Sequence, residues 1–214
     1  MTLTLHGYWR STASYRVRIA LNVKELAYDQ ATHDLRTGAQ RDPTFLTLAP
    51  QGLVPALESE NGALTQSLAI LEWIDEGWPK PPLLPKDVHG RALVRAMAGL
   101  IAADIHPLNN LRVLQALRET FFATPEQVQA WISRWIAEGF TALEQMIKAH
   151  GGRFAYGDQP TLADCVLVPQ IYSAERFSVD LTPYPNVRRV AAAATALAPF
   201  AAAHPSRQPD ADAL

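Results

Sequence analysis

LTLHGYWRSTASYRVRIALNVK, residues 3–24, is where the fold declares itself. Leu3 to Tyr8 reads as a short strand, and Ser11-Thr12-Ala13-Ser14 follows as a loop of small, mostly hydroxyl-bearing residues suited to a helix start. From Tyr15 to Lys24 the spacing becomes helical, with Val17, Ala20, Leu21 and Leu26 able to line one face. Working outward, Tyr28 to Thr32 supplies a second strand, Gln40 to Leu48 a helix ended by Pro50, and Val54 to Glu58 a third strand. Asn61-Gly62 marks a hairpin turn into Leu64-Thr65, and Ser67 caps a helix over Leu68 to Glu76. The order βαβαββα predicts a thioredoxin-like α/β domain over residues 1–80, its mixed sheet covered on both faces.

The pattern changes at a proline cluster, Pro79, Pro81, Pro82 and Pro85, which reads as a linker. Residues 88–214 then read as an all-helical domain. One long helix is expected from Val88 through Leu114, and a second from Pro125 to about Ala149 with Trp131 and Trp135 on one apolar stripe. Thr161-Leu162-Ala163-Asp164 resembles a capping box that opens a helix to about Phe177, and Tyr184-Pro185 opens an alanine-rich final helix. The tail His204 to Leu214 is expected to carry little order.

Bulk properties narrow the chemistry. With 214 residues and 48% hydrophobic content the chain can bury a sizeable core. A formal net charge of -2 gives no field that attracts nucleic acid or an anionic membrane, and no glycine-rich phosphate loop is present. The single cysteine, Cys165, rules out an internal disulfide and reads as a buried small hydrophobe. Without an apolar run of roughly 20 residues or a signal-like start, the expected location is the cytoplasm, with no membrane partner. The six histidines show no ligand spacing, so no metal site is expected.

Two helix starts that follow strands could bind anions, because their first amides lack intrahelical partners and the peptide dipoles leave a positive end. Arg10-Ser11-Thr12 suits a thiolate or carboxylate, and Gln66-Ser67 suits an amino-acid carboxylate. Taken alone, both read first as ordinary structural caps. Val54-Pro55 adds a second kind of signal. A proline just inside a strand implies an edge, a bulge or a cis peptide bond, and so exposes backbone with which a peptide ligand can pair.

These motifs together resemble the zeta class of the glutathione transferases: SxxSYRVRIAL at Ser11 to Leu21, PQxLVPAL at Pro50 to Leu57, QSLAI at Gln66 to Ile70, IHPLNNLRVL at Ile105 to Leu114, and GDxPTLAD at Gly157 to Asp164. The resemblance spans about residues 3 to 200 and implies glutathione as cofactor. Ser11 and Thr12 would lie near the sulfur, Val54 would pair with the peptide backbone, and Gln66-Ser67 would hold the γ-glutamyl group. Gln40, Gln51, His106, Asn110 and Arg112 match further ligand contacts; spacing places His106 and Asn110 on one helix face and Arg112 to one side.

The implied activity is cis-trans isomerisation of maleylpyruvate or maleylacetoacetate in aromatic-compound catabolism, by a homodimer, with the cofactor thiolate as covalent catalyst. The competing reading is a transferase that conjugates glutathione to electrophilic or halogenated small molecules. A dicarboxylate substrate needs guanidinium partners, and Arg10 and Arg176 are the candidates. Arg16 and Arg18, inside the first helix, read as structural ion-pair partners or surface residues. Many zeta enzymes carry cysteine where this chain has Ala13. That departure argues against reductive dehalogenation through a protein thiol and leaves isomerisation untouched.

Overall fold

The computed structural model describes residues 2–212, and the chain folds as two compact units, Met1–Leu83 with Ala196–Leu214, and Leu84–Thr195. Unit 1 holds a four-stranded sheet in the order β2-β1-β3-β4: β1 (Thr4–Gly7), β2 (Asp29–Thr32), β3 (Ala56–Ser59) and β4 (Gly62–Thr65). β2 runs parallel to β1, and the 12-residue helix α1 (Thr12–Val23) supplies the crossover that such a pairing needs. β3 is antiparallel to both β1 and β4, the latter through the hairpin expected at Asn61-Gly62. Successive strand residues point to opposite faces, so His6 meets Phe45 of α2 (Pro43–Leu48) while Leu5, 1% exposed, points the other way. A third helix, α3 (Ser67–Gly77), packs against α1. This is the thioredoxin-like arrangement. A Cβ at Gly7 would sit 3.2 Å from Ser14 Oγ, so glycine lets the end of β1 approach the first turn of α1 closely.

Three expectations need correction in unit 1. The periodicity of α1 predicts one apolar face, yet Thr12 and every residue from Ser14 to Leu21 are buried. The reason is the C-terminal segment: Arg18 Nε donates to Ala203 O at 3.1 Å, Asn22 Nδ2 donates to Pro199 O at 3.1 Å, and α9 (Ala198–Ala202) covers the helix. Arg16 and Arg18 are therefore buried rather than at the surface, and Arg18 is held by backbone carbonyls of Ala203, Tyr8 and Trp9. The tail expected to lack order is anchored as far as Asp212. Gln208 is 7% exposed and bonded to Gln30, Ala202 and His204; Asp210 accepts from Trp9 N at 2.9 Å; Asp212 pairs with Arg36 at 2.7 Å. The sequence boundary of 88–214 thus differs from the grouping found, in which Ala196–Leu214 joins unit 1. The proline segment is pinned at Leu83, whose amide donates at 2.8 Å to buried Asp75, itself held by Lys24 Nζ at 2.7 Å.

Unit 2 is helical: α4 (Val88–Gly99), α5 (Leu111–Glu119), α6 (Pro125–His150), α7 (Leu162–Arg176) and α8 (Pro185–Thr195). The single helix expected from Val88 through Leu114 is instead broken. After α4 the backbone widens into a π-helical turn, Leu100–Ile105, tightens into a 3-10 turn, His106–Asn109, and restarts at Leu111 with Asn110 as N-cap. Pro107 is the cause, since it has no amide to donate and its ring crowds the preceding turn. Trp131 Nε1 holds the break in place by donating to Leu108 O at 2.8 Å. Gly139 of α6 accommodates it, because a Cβ there would lie 2.3 Å from Ile105 Cδ1. α6 carries a buried apolar stripe of Val128, Ile132, Ile136, Phe140, Leu143 and Ile147, but Trp131 and Trp135, expected on it, are half-buried beside it with their rings 5.6 Å apart. Its buried Glu144 accepts from the amides of Asn186 and Val187 at the start of α8. At the start of α7, Asp164 accepts from Ala155 N and Thr161 N, each at 2.8 Å, and from Thr161 Oγ1 at 3.0 Å. No helix among the described residues is long and apolar enough to cross a membrane.

Candidate active site

The α1 N-terminus carries the first group of candidate residues. Ser11 is the N-cap, extended in backbone and half-buried, and its Oγ accepts from Ser14 N at 3.2 Å. Accepting from an amide leaves the hydroxyl proton available for an outside acceptor. Thr12, the first helical residue, is only 6% exposed, so Ser11 is the more accessible hydroxyl of the pair. Arg10 is half-buried, its guanidinium carbon 5.4 Å from the Trp9 ring centre. The adjoining loop is clamped from two sides, by Asp210 on the Trp9 amide and by Arg18 on the Tyr8 and Trp9 carbonyls. Ser11 is therefore presented by a braced turn.

The second group gathers around α3. Gln66 precedes the helix with φ 69 and ψ 108, a left-handed setting that a residue with a Cβ adopts only when its surroundings enforce it. Its side-chain amide donates to Gln51 Oε1 at 2.7 Å, so two of the expected ligand residues touch each other. Ser67, the first residue of α3 and 7% exposed, accepts at Oγ from Arg16 Nη1 at 3.1 Å. Burial lowers the pKa of this guanidinium to about 10, which leaves it cationic at neutral pH. Val54 lies just outside β3, half-buried against Phe45, Ala49 and Ala56, and the Val54-Pro55 peptide is cis, one of the three arrangements the proline implied. Gln40 lies in a 3-10 turn, Ala39–Arg41, two residues before the N-cap of α2.

The remaining candidates belong to unit 2. His106 opens the 3-10 turn and Asn110 caps α5, its side chain accepting from Arg112 N at 3.2 Å. The shared-face argument for His106 and Asn110 therefore fails, since no continuous helix joins them. Arg112 is exposed in the first turn of α5. Arg176 is exposed at the end of α7, its guanidinium carbon 4.5 Å from the Phe177 ring centre, while Phe177 O accepts from Gln129 Nε2 at 2.6 Å.

Residues 1–76 match the family model of the glutathione S-transferase N-terminal domain, and residues 125–193 match that of the C-terminal domain. A maleylpyruvate isomerase of Ralstonia sp is 48% identical over 210 residues, which cover 97% of this chain and 99% of the relative. The holo structure of a maleyl pyruvate isomerase, described as a bacterial zeta-class glutathione transferase, superposes with a TM-score of 0.95 at 47% identity over 99% of this chain and 100% of the other. This chain belongs to the zeta class of the glutathione S-transferases. A second similar structure, the maleylacetoacetate isomerase of Anaeromyxobacter dehalogenans, was solved with glutathione in its active site; it is 48% identical, with a TM-score of 0.90 over 99% of this chain and 98% of that one.

Within this zeta-class chain, sequence reasoning missed Arg16. A signal was present: across Ser14 to Leu21 the residues one turn away from Arg16 and Arg18 are apolar or small, so no face of α1 is wholly polar. A helix with no polar face has to bury its charges.

Proposed function

We propose that this chain is a glutathione-dependent cis-trans isomerase of a maleyl-keto acid, maleylpyruvate or maleylacetoacetate, with conjugation of electrophiles as the competing activity. The observation that carries the reading is the braced α1 terminus, where the Ser11 hydroxyl and the first turn of α1 follow directly on Arg10. The residues fit glutathione, because the other terminus suits an anionic carboxylate: α3 has no side-chain cap, and buried Arg16 points at Ser67.

Bound glutathione supplies a thiol whose thiolate can add to a conjugated cis double bond and be expelled after rotation. Ser11 donates a hydrogen bond to that sulfur, and together with the α1 amides it favours the ionised form. Gln66 and Ser67 hold the γ-glutamyl end, Gln40 and Gln51 contact the peptide, and the Val54 backbone orients it. Arg10 pairs with a substrate carboxylate or stabilises the negative charge that grows on a substrate oxygen. The family resemblance matches His106, Asn110 and Arg112 to further ligand contacts, and Arg176 is the second candidate partner for a substrate carboxylate. The same resemblance supports a homodimer active in aromatic-compound breakdown, and the single cysteine suits a reducing, cytoplasmic location.

Substrate charge separates the two activities. Arg10→Ala is expected to reduce kcat/KM for maleylpyruvate by about 10- to 100-fold, the loss of one charge-assisted contact, and to leave conjugation of an uncharged aryl halide nearly unchanged. Equal losses on both substrates, or turnover of the aryl halide alone, would move the assignment to a conjugating transferase.

A further inference from the structure

Arg16 lies inside unit 1 with 2% exposure, in the second turn of α1. Nη1 donates to Ser67 Oγ, and among the described residues neither Nε nor Nη2 meets an acceptor. A guanidinium presents five donors in a planar fork that matches a carboxylate, and its burial is strongly unfavourable unless an anion answers it. Its partner here is a neutral hydroxyl. The place it points to is positive in its own right: α3 is eleven residues long, and its N-cap residue gives the first turn no side-chain hydrogen bond.

We propose that Arg16 is a positioning residue for the γ-glutamyl carboxylate of glutathione, acting through Ser67. By donating to Ser67 Oγ it fixes the hydroxyl rotor, so that the hydroxyl proton points to the ligand. Its buried charge makes this end of the site select an anionic carboxylate over a neutral group of the same shape. The inference rests on the functional reading above, and it deepens that reading by naming what sets selectivity at Ser67.

The test is calorimetric binding to wild type, Arg16→Lys and Arg16→Met of two ligands: glutathione, and its analogue with the γ-glutamyl α-carboxylate converted to a carboxamide. Wild type should prefer glutathione by about 10- to 100-fold, as expected for one charge-assisted hydrogen bond. Arg16→Met should lose that preference and bind both ligands like the wild type binds the amide, with Arg16→Lys between. The thermal midpoint of ligand-free Arg16→Met should stay level or rise, because an apolar chain replaces an uncompensated buried cation. A wild type that binds both ligands equally overturns the proposal without any variant. So does a marked fall in midpoint with both ligands weakened alike, which assigns Arg16 to structure. A wild type that binds neither ligand overturns the functional reading itself.

Discussion

Ser11 was legible in the sequence as a helix cap after a strand, but its greater accessibility than Thr12 was not, because no local pattern reports that Thr12 is 6% exposed; the proposed sulfur contact is Ser11 on that ground. Ser11→Ala should therefore raise the pKa of enzyme-bound glutathione thiol by about 1 to 2 pH units, the equivalent of losing one hydrogen bond to a charged group, while Thr12→Ser leaves it in place. Titrating thiolate absorbance in the complex measures this. Asp164 is the other residue with a readable consequence. Its role as an N-terminal acceptor was evident from Thr161-Leu162-Ala163-Asp164; its depth was not. Burial pushes its carboxyl up to about 6, against the three hydrogen bonds it accepts. A carboxyl raised in the folded state favours folding fully below its unfolded pKa near 4, and that contribution is lost as pH rises through about 6, an effect on the order of 3 kcal/mol. Urea denaturation should thus show the unfolding free energy of wild type falling relative to Asp164→Asn between pH 4 and pH 7. A difference independent of pH would contradict the assignment.

At the scale of elements, the strands and helices of unit 1 lie close to where the periodicity put them, since each is short and bounded by glycine, proline or a cap. The break between α4 and α5 was missed for a definite reason. The apolar repeat continues through it, and only Pro107 announces the stop, while the widening at Leu100–Ile105 depends on Gly139, a distant residue of α6. Gly139→Ala tests that dependence. Alanine favours a helix over glycine by about 1 kcal/mol, yet its Cβ meets Ile105, a side chain 1% exposed with no room to move. The substitution should destabilise the protein by about 1–3 kcal/mol in guanidinium melts. It should become neutral or stabilising when made in an Ile105→Ala background, whereas additive effects would mean that the two side chains do not compete for space.

For the whole molecule, the thioredoxin-like fold was readable because strand order follows from one crossover and one hairpin, both local. What local reasoning could not see is the return of the chain: Ala196–Leu214 groups with unit 1, and its Asp210 bonds the Trp9 amide just before the candidate residues Arg10 to Thr12, an interaction across 201 positions of sequence. The glutathione candidates of unit 1 were named from motifs, while Arg16 emerged only from three-dimensional burial. One claim joins these scales, that this zeta-class enzyme uses glutathione as a catalyst rather than as a reactant. The decisive measurement is the number of maleylpyruvate molecules isomerised per glutathione at substoichiometric cofactor, with free thiol quantified at the end. Catalytic use predicts many turnovers per glutathione, complete recovery of the thiol and no isomerisation without it. Loss of one thiol per substrate consumed, or turnover that ignores glutathione, would contradict it.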